Sequence, residues 1–127
     1  MALTVTRFVE SRVVREITCN VTYADTTTAK IFTLPKGARI IDIIVNVKTA
    51  FAGGTTTLDV GKTSDGDYYI DGVAVNAVGK ASPSLLHPGA EITTLGEDIY
   101  ANVGAGNTAG SLDITLLFSM EQGVSFT

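Results

Sequence analysis

Tryptophan is absent from the 127 residues, and cysteine and histidine each occur only once. With Cys19 as the single cysteine, no intrachain disulfide can form, which argues against the small secreted domains that depend on such staples. One cysteine and one histidine, His87, also leave zinc to distant carboxylates, a spacing that does not support a site. Charge is sparse as well: 17% of residues are charged and the net charge is −4, so no basic field draws the chain to nucleic acid or to an anionic membrane. Arg7, Arg12 and Arg15 group near one terminus and read as solvated or paired charges. No apolar run approaches the roughly 20 residues that cross a bilayer. MALTVTRF has no charged-then-apolar signal segment, so secretory export is not expected.

What is present is 45% hydrophobic residues and 13 glycines, enough apolar side chain for one real core. Arg39 to Lys48, RIIDIIVNVK, has the clearest pattern. Ile41, Ile43, Val45 and Val47 share one parity while Asp42, Asn46 and Lys48 take the other, so a period of two predicts a strand with an aliphatic stripe facing the core. Ile40 and Ile44 fall on the polar side, which points either to a second covered face, as against another subunit, or to ordinary exposed aliphatics. Pro35-Lys36-Gly37 supplies the turn before it.

The same reading gives a strand or two bulge-joined strands over Arg12 to Tyr23, with Val13, Ile17, Cys19, Val21 and Tyr23 inward and Arg15 interrupting them. Cys19 reads as a buried small residue, not a nucleophile. A turn at Asp25 to Thr28 leads to a short strand from Lys30 to Leu34. Gly53-Gly54 predicts a hairpin joining the central strand to one with Thr56, Leu58 and Val60 inward. Lys62 to Asp67 forms a loop around Asp-Gly, and Tyr68 to Ile70 a short segment closed by Asp71-Gly72. Residues 73 to 90 lack a sustained period and predict a long excursion, with room for one helical turn at Val73 to Val78. Glu91 to Leu95 and Asp98 to Val103 make a candidate pair around Gly96, the latter with Ile99, Ala101 and Val103 inward. Gly104 to Gly110 reads as a permissive loop, and Leu112, Ile114, Leu116 and Phe118 mark a late strand. The expected fold is all-β, an antiparallel β-sandwich of jelly-roll or related Greek-key topology. Residues 1–11 are an arm or short first strand, 12–119 the sandwich and 120–127 a tail.

Chemistry is hard to find. His87 lies beside Pro88, and neither Ser82 nor Ser84 sits in a nucleophile motif such as G-x-S-x-G. Asp65, Asp67 and Asp71 offer oxygen ligands but lack the EF-hand arrangement; a solvated hairpin tip is the plainer reading. Glu91, Glu97 and Asp98 show no paired-carboxylate spacing, and GVAVNAVGK departs from the phosphate-binding P-loop pattern. Tyr68 and Tyr69, with Asp65 and Asp67, are candidates for contact with a glycan, although adjacent strand residues face opposite ways and only one tyrosine belongs to any flat platform. No catalytic residue, metal ligand or cofactor site is expected.

FTLPKGARIIDIIVNVKTAFAGGTTTLDVGKTSDGDYYIDG, residues 32 to 72, resembles small β-sandwich proteins of tailed-phage and prophage structural modules, most of all head decoration or auxiliary capsid proteins. The shared pattern is a proline-glycine turn, an aliphatic strand, a Thr-Ala-Phe segment, a Thr-rich strand ending in Val-Gly and an Asp-Gly loop. LHPGAEITT and SLDITLLF extend the likeness over roughly residues 30 to 119. The resemblance implies a non-enzymatic virion protein on the outer surface of the head, present in the host cytoplasm during assembly. It implies self-association, as a trimer before a dimer, and the major capsid protein as partner, with no nucleic acid or membrane partner. A fibre or tail component binding a host glycan is the alternative.

Overall fold

A computed structural model describes residues 12–25, 28–81, 83–93 and 95–121. The expected arm at 1–11, Arg7 within it, Thr26, Thr27, Ser82 and residues 122–127 of the expected tail lie outside the described residues. The elements are β1 (Arg12–Thr22), β2 (Ala29–Leu34), β3 (Arg39–Ala52), β4 (Thr57–Lys62), β5 (Asp65–Ala74), β6 (Gly79–Ala81), β7 (Glu97–Val103) and β8 (Ala109–Glu121). They form two four-stranded sheets, β1-β8-β3-β6 and β2-β7-β4-β5, antiparallel at every pairing. The first strand pairs with the last, the second with the seventh, the third with the sixth and the fourth with the fifth. The fold is thus the expected antiparallel sandwich of jelly-roll or related Greek-key topology.

Alternation decides the core. Leu112, Ile114, Leu116 and Phe118 from β8, with Ile43, Val45 and Val47 from β3, face Leu58, Val60, Ile99, Ala101 and Val103 of the other sheet, and all are buried. Each such Leu, Ile or Phe contributes about 1.5–3 kcal/mol relative to exposure. β8 runs past the expected boundary at 119, with Met120 buried and Glu121 paired to Arg12.

Several expectations fail where pairing is irregular. On β3, Ile40 opposes Phe118 but Asp42 opposes Leu117, so one extra residue is inserted at Ile41. This bulge reverses parity: Ile40 is fully buried and Ile41 is 42% exposed, opposite to the two-residue reading. Ile44, half-buried, stays on the outer side as expected. Gly53-Gly54 does not close a hairpin, because β3 and β4 belong to different sheets and the chain crosses between them there. The turn after β4 is Thr63-Ser64, with Asp65 and Gly66 already in β5, and β5 runs through Asp71-Gly72 instead of ending there. Gly61 is required in this hairpin: a Cβ there would meet the Asp65 carbonyl and the Gly66 backbone.

The 73 to 90 excursion contains the end of β5 and all of β6, without a helical turn at Val73 to Val78. The described residues of Glu91 to Leu95 form no strand; Glu91 makes one isolated bridge to Arg39. The segment still ties the sheets together. Leu86 N–H donates to Tyr69 C=O at 2.8 Å on the β5 side, while Gly89 N–H donates to Ile40 C=O at 2.8 Å and Ile92 N–H to Ala38 C=O at 2.8 Å on the β3 side. Of the apolar series expected on β1, only Val21 is fully buried; Ile17 and Cys19 are half-buried, and Val13 and Tyr23 are exposed. Burial raises the Cys19 thiol pKa, with Asp25 and Asp113 adding to it, so the residue is held as a thiol away from reactive thiolate character.

Candidate interaction surface

The residues singled out for glycan contact end up together but unequally presented. Tyr69 is 1% exposed, its hydroxyl donating to Glu97 Oε2 at 3.4 Å, and burial with Glu97 alongside pushes its phenol pKa up. It is therefore the core member of the pair. Tyr68 is partly exposed, yet its ring is layered: the His87 ring stacks on it at 3.9 Å and 4°, and the Lys62 ammonium lies 3.9 Å from its centroid. Two groups that close to one ring occupy opposite faces, so neither face is open for a sugar. His87 sits at φ 55, its Nδ1–H donating to Tyr68 C=O at 2.9 Å, which fixes the loop against β5.

Asp65 is exposed and Asp67 lies beside it; their mutual hydrogen bond holds Asp65 below the usual carboxylate range and Asp67 above it. Among the described residues, no group of three His, Cys, Asp or Glu is placed to hold a metal ion.

The two ends of the sandwich differ. At one end lie the start of β1, the end of β8, the start of β3 and the loop carrying Leu86 and Leu95. Arg12 pairs with Glu121 here. Five of the exposed large apolar residues, Val13, Val14, Ile41, Leu86 and Leu95, belong to it, Leu95 being 92% exposed. Exposed apolar side chains gathered at one end mark a contact surface more than scattered ones do. Sequence reasoning missed Ile41, because a bulge is invisible to periodicity, and passed over Leu86 and Leu95 as parts of irregular stretches.

The opposite end is built from small residues drawn tightly together. Asn107 donates to Thr55 C=O at 2.7 Å and Gly104 C=O at 2.8 Å, and Thr55 N–H donates to Ala105 C=O at 3.0 Å. Asn107 also lines a cavity of about 70 Å³ beside Tyr23 and Asp25, and its Oδ1 is buried without a hydrogen-bond partner. The outer face of the β1-β8-β3 sheet is polar toward this end: Asn20 Nδ2 donates to Asp113 Oδ1 at 3.0 Å and Lys48 pairs with Asp113 at 3.3 Å. The Asn20 bond first, then Lys48, holds the Asp113 carboxyl below its ordinary value. Toward the apolar end this face changes to Val14, Ile41, Ile44 and Leu117.

No protein-family model matches the sequence, and no curated protein matches it significantly. Among solved structures, the chain is similar to a chain of the capsid asymmetric unit of cyanophage Pam1, at 18% identity and TM-score 0.65, covering 94% of this chain and 92% of that one. It is also similar to a chain of the acidic stable capsid structure of Helicobacter pylori bacteriophage KHP30, at 14% identity and TM-score 0.59, covering 93% of this chain and 100% of that one. At these identities the likeness shows the fold: the whole sandwich is shared, not a fragment of it.

Proposed function

We propose that this chain is a non-enzymatic structural protein of a tailed-phage virion, a decoration subunit that binds the outside of the assembled head and stabilises it. The observation that carries the reading is the match over nearly the full length of chains from two phage capsid structures. The asymmetry of the sandwich supports it, since an end that gathers exposed apolar side chains suits attachment to a shell. The partner is the major capsid protein together with further copies of this chain. A subunit that binds only the assembled lattice stabilises it by mass action.

Purified heads lacking the protein provide the test. Added protein is expected to sediment with heads, to saturate at a fixed stoichiometry and to raise the temperature at which the genome is released. Saturable binding without any gain in head stability would refute the stabilising role, and no binding would refute decoration altogether. The alternative, a fibre or tail component binding a host glycan at Tyr68 or Tyr69 with Asp65 and Asp67, is less favoured by the burial of Tyr69 and the packing of His87 and Lys62 on Tyr68.

A further inference from the structure

Among the described residues, no strand lies beyond β1 in its sheet. Its hydrogen-bonding groups can be sorted. Tyr23 N–H donates to Gly110 C=O at 3.0 Å, and from there the register with β8 continues unbroken to Arg12 opposite Glu121. Antiparallel alternation then turns the backbone groups of odd-numbered residues toward β8 and those of Arg12, Val14, Glu16, Thr18 and Asn20 toward the open edge. Thr22 obeys the same rule, its N–H donating away from β8 to Asp25 Oδ2 at 2.9 Å. That carboxylate closes the upper end of the edge, and among the described residues no strand pairs with the lower part. Such an edge is a template for another strand unless something covers it.

We propose that a second copy of this chain covers it, β1 pairing antiparallel with β1 across a two-fold axis at Val14. This rests on the proposed self-association and specifies a two-fold contact for it. Side-chain chemistry selects the register. A two-fold pairing places each residue opposite one on the same face, so an axis at Arg15 sets arginine against arginine and an axis at Glu16 sets glutamate against glutamate; like charges directly opposite are unfavourable. An axis further along sets the apolar Val14 against Asn20, whose amide is turned to Ser111 and Asp113, or against Thr22, whose N–H is taken.

The axis at Val14 opposes the two valines, each 59% exposed, and sets Glu16 of each copy opposite Arg12 of the other. On the other face Val13 meets Arg15, whose aliphatic stem can pack over it. The β1-β8-β3-β6 sheets of the two copies become continuous across the axis.

Cysteine cross-linking reads the register. In a Cys19→Ser background, Val14→Cys puts two sulfurs across a hydrogen-bonded pair with Cα atoms about 5.5 Å apart, within disulfide range, whereas Thr18→Cys leaves them about 27 Å apart. Mild oxidation should give a covalent dimer of the first variant and none of the second. Light scattering on the native protein should give twice 13.3 kDa. Val14→Lys, placing two ammonium groups on the axis, should give a monomer with an unchanged circular dichroism spectrum. A native monomer or trimer, cross-linking through Thr18→Cys, or a dimeric Val14→Lys protein would each overturn the contact. Shell binding by a monomer would do so while leaving the proposed function standing; a Val14-linked dimer that ignores shells would do the reverse.

Discussion

Gly110→Ala probes how β3 and β8 are fitted together. β3 gains residues relative to β8 twice near its end, between Val47 and Thr49 and between Thr49 and Ala52, and this irregularity brings Phe51 into the core. The Phe51 ring lies over Gly110, where a Cβ would collide with it, and Gly110 has φ +145, a conformation that L side chains rarely adopt. The ring is 1% exposed and cannot swing into solvent. Overpacking a core costs about 1–3 kcal/mol and a positive φ about 1–3 kcal/mol, so the substitution should cost about 2–6 kcal/mol. In a domain this size that corresponds to a fall in Tm of roughly 6 °C or more. Urea unfolding at 25 °C is the assay, with an unchanged slope and a lower midpoint expected.

Gly66→Ala is the control, because its added methyl meets nothing within 4 Å and its φ is not in the positive range; it should stay within about 0.5 kcal/mol of the native protein. In a Phe51→Leu background the cost of Gly110→Ala should fall by about 1 kcal/mol or more, isolating the ring contact from the backbone contribution. A Gly110→Ala protein as stable as the native one, or a penalty unaffected by Phe51→Leu, would refute this packing argument.

Two further predictions concern single hydrogen bonds. Asp113 titrates below its ordinary value in the folded state, so its contribution is present above the unfolded carboxylate pKa of about 3.9 and is lost as pH falls through the lower folded value. Asn20→Ala removes the largest cause, so the Asp113 pKa should rise in an NMR titration and the loss of stability between pH 7 and pH 3 should become smaller; an unmoved titration would show that Lys48 alone sustains the shift. Tyr69→Phe removes one long hydrogen bond and should cost less than about 1 kcal/mol, while Tyr69→Ala should cost about 3–5 kcal/mol from the cavity, both measured by urea unfolding. Equal penalties would make the Glu97 contact, not the ring, the main contribution.

The sandwich was legible because its regular strands keep a two-residue rhythm. Leu112 to Phe118 and Ile99 to Val103 face inward as that rhythm requires, and Pro35-Lys36-Gly37 and the absence of helical periodicity point the same way. Periodicity is a property of neighbours along the chain and carries no information about which strand lies alongside. Hence Gly53-Gly54 reads as a hairpin although the chain crosses there to the other sheet, and Glu91 to Leu95 reads as a strand although it only bridges Arg39. The bulge at Ile41 needs β8 to exist before an extra residue can be counted against it. The exposed apolar end has the same origin. Val14, Ile41, Leu86 and Leu95 are far apart in sequence and become one end of the molecule only when β1, β3 and the 84–92 segment are brought together. Composition and alternation determined that the chain is an all-β sandwich; long-range pairing decided which side chains it presents, because exposure depends on what the rest of the chain covers.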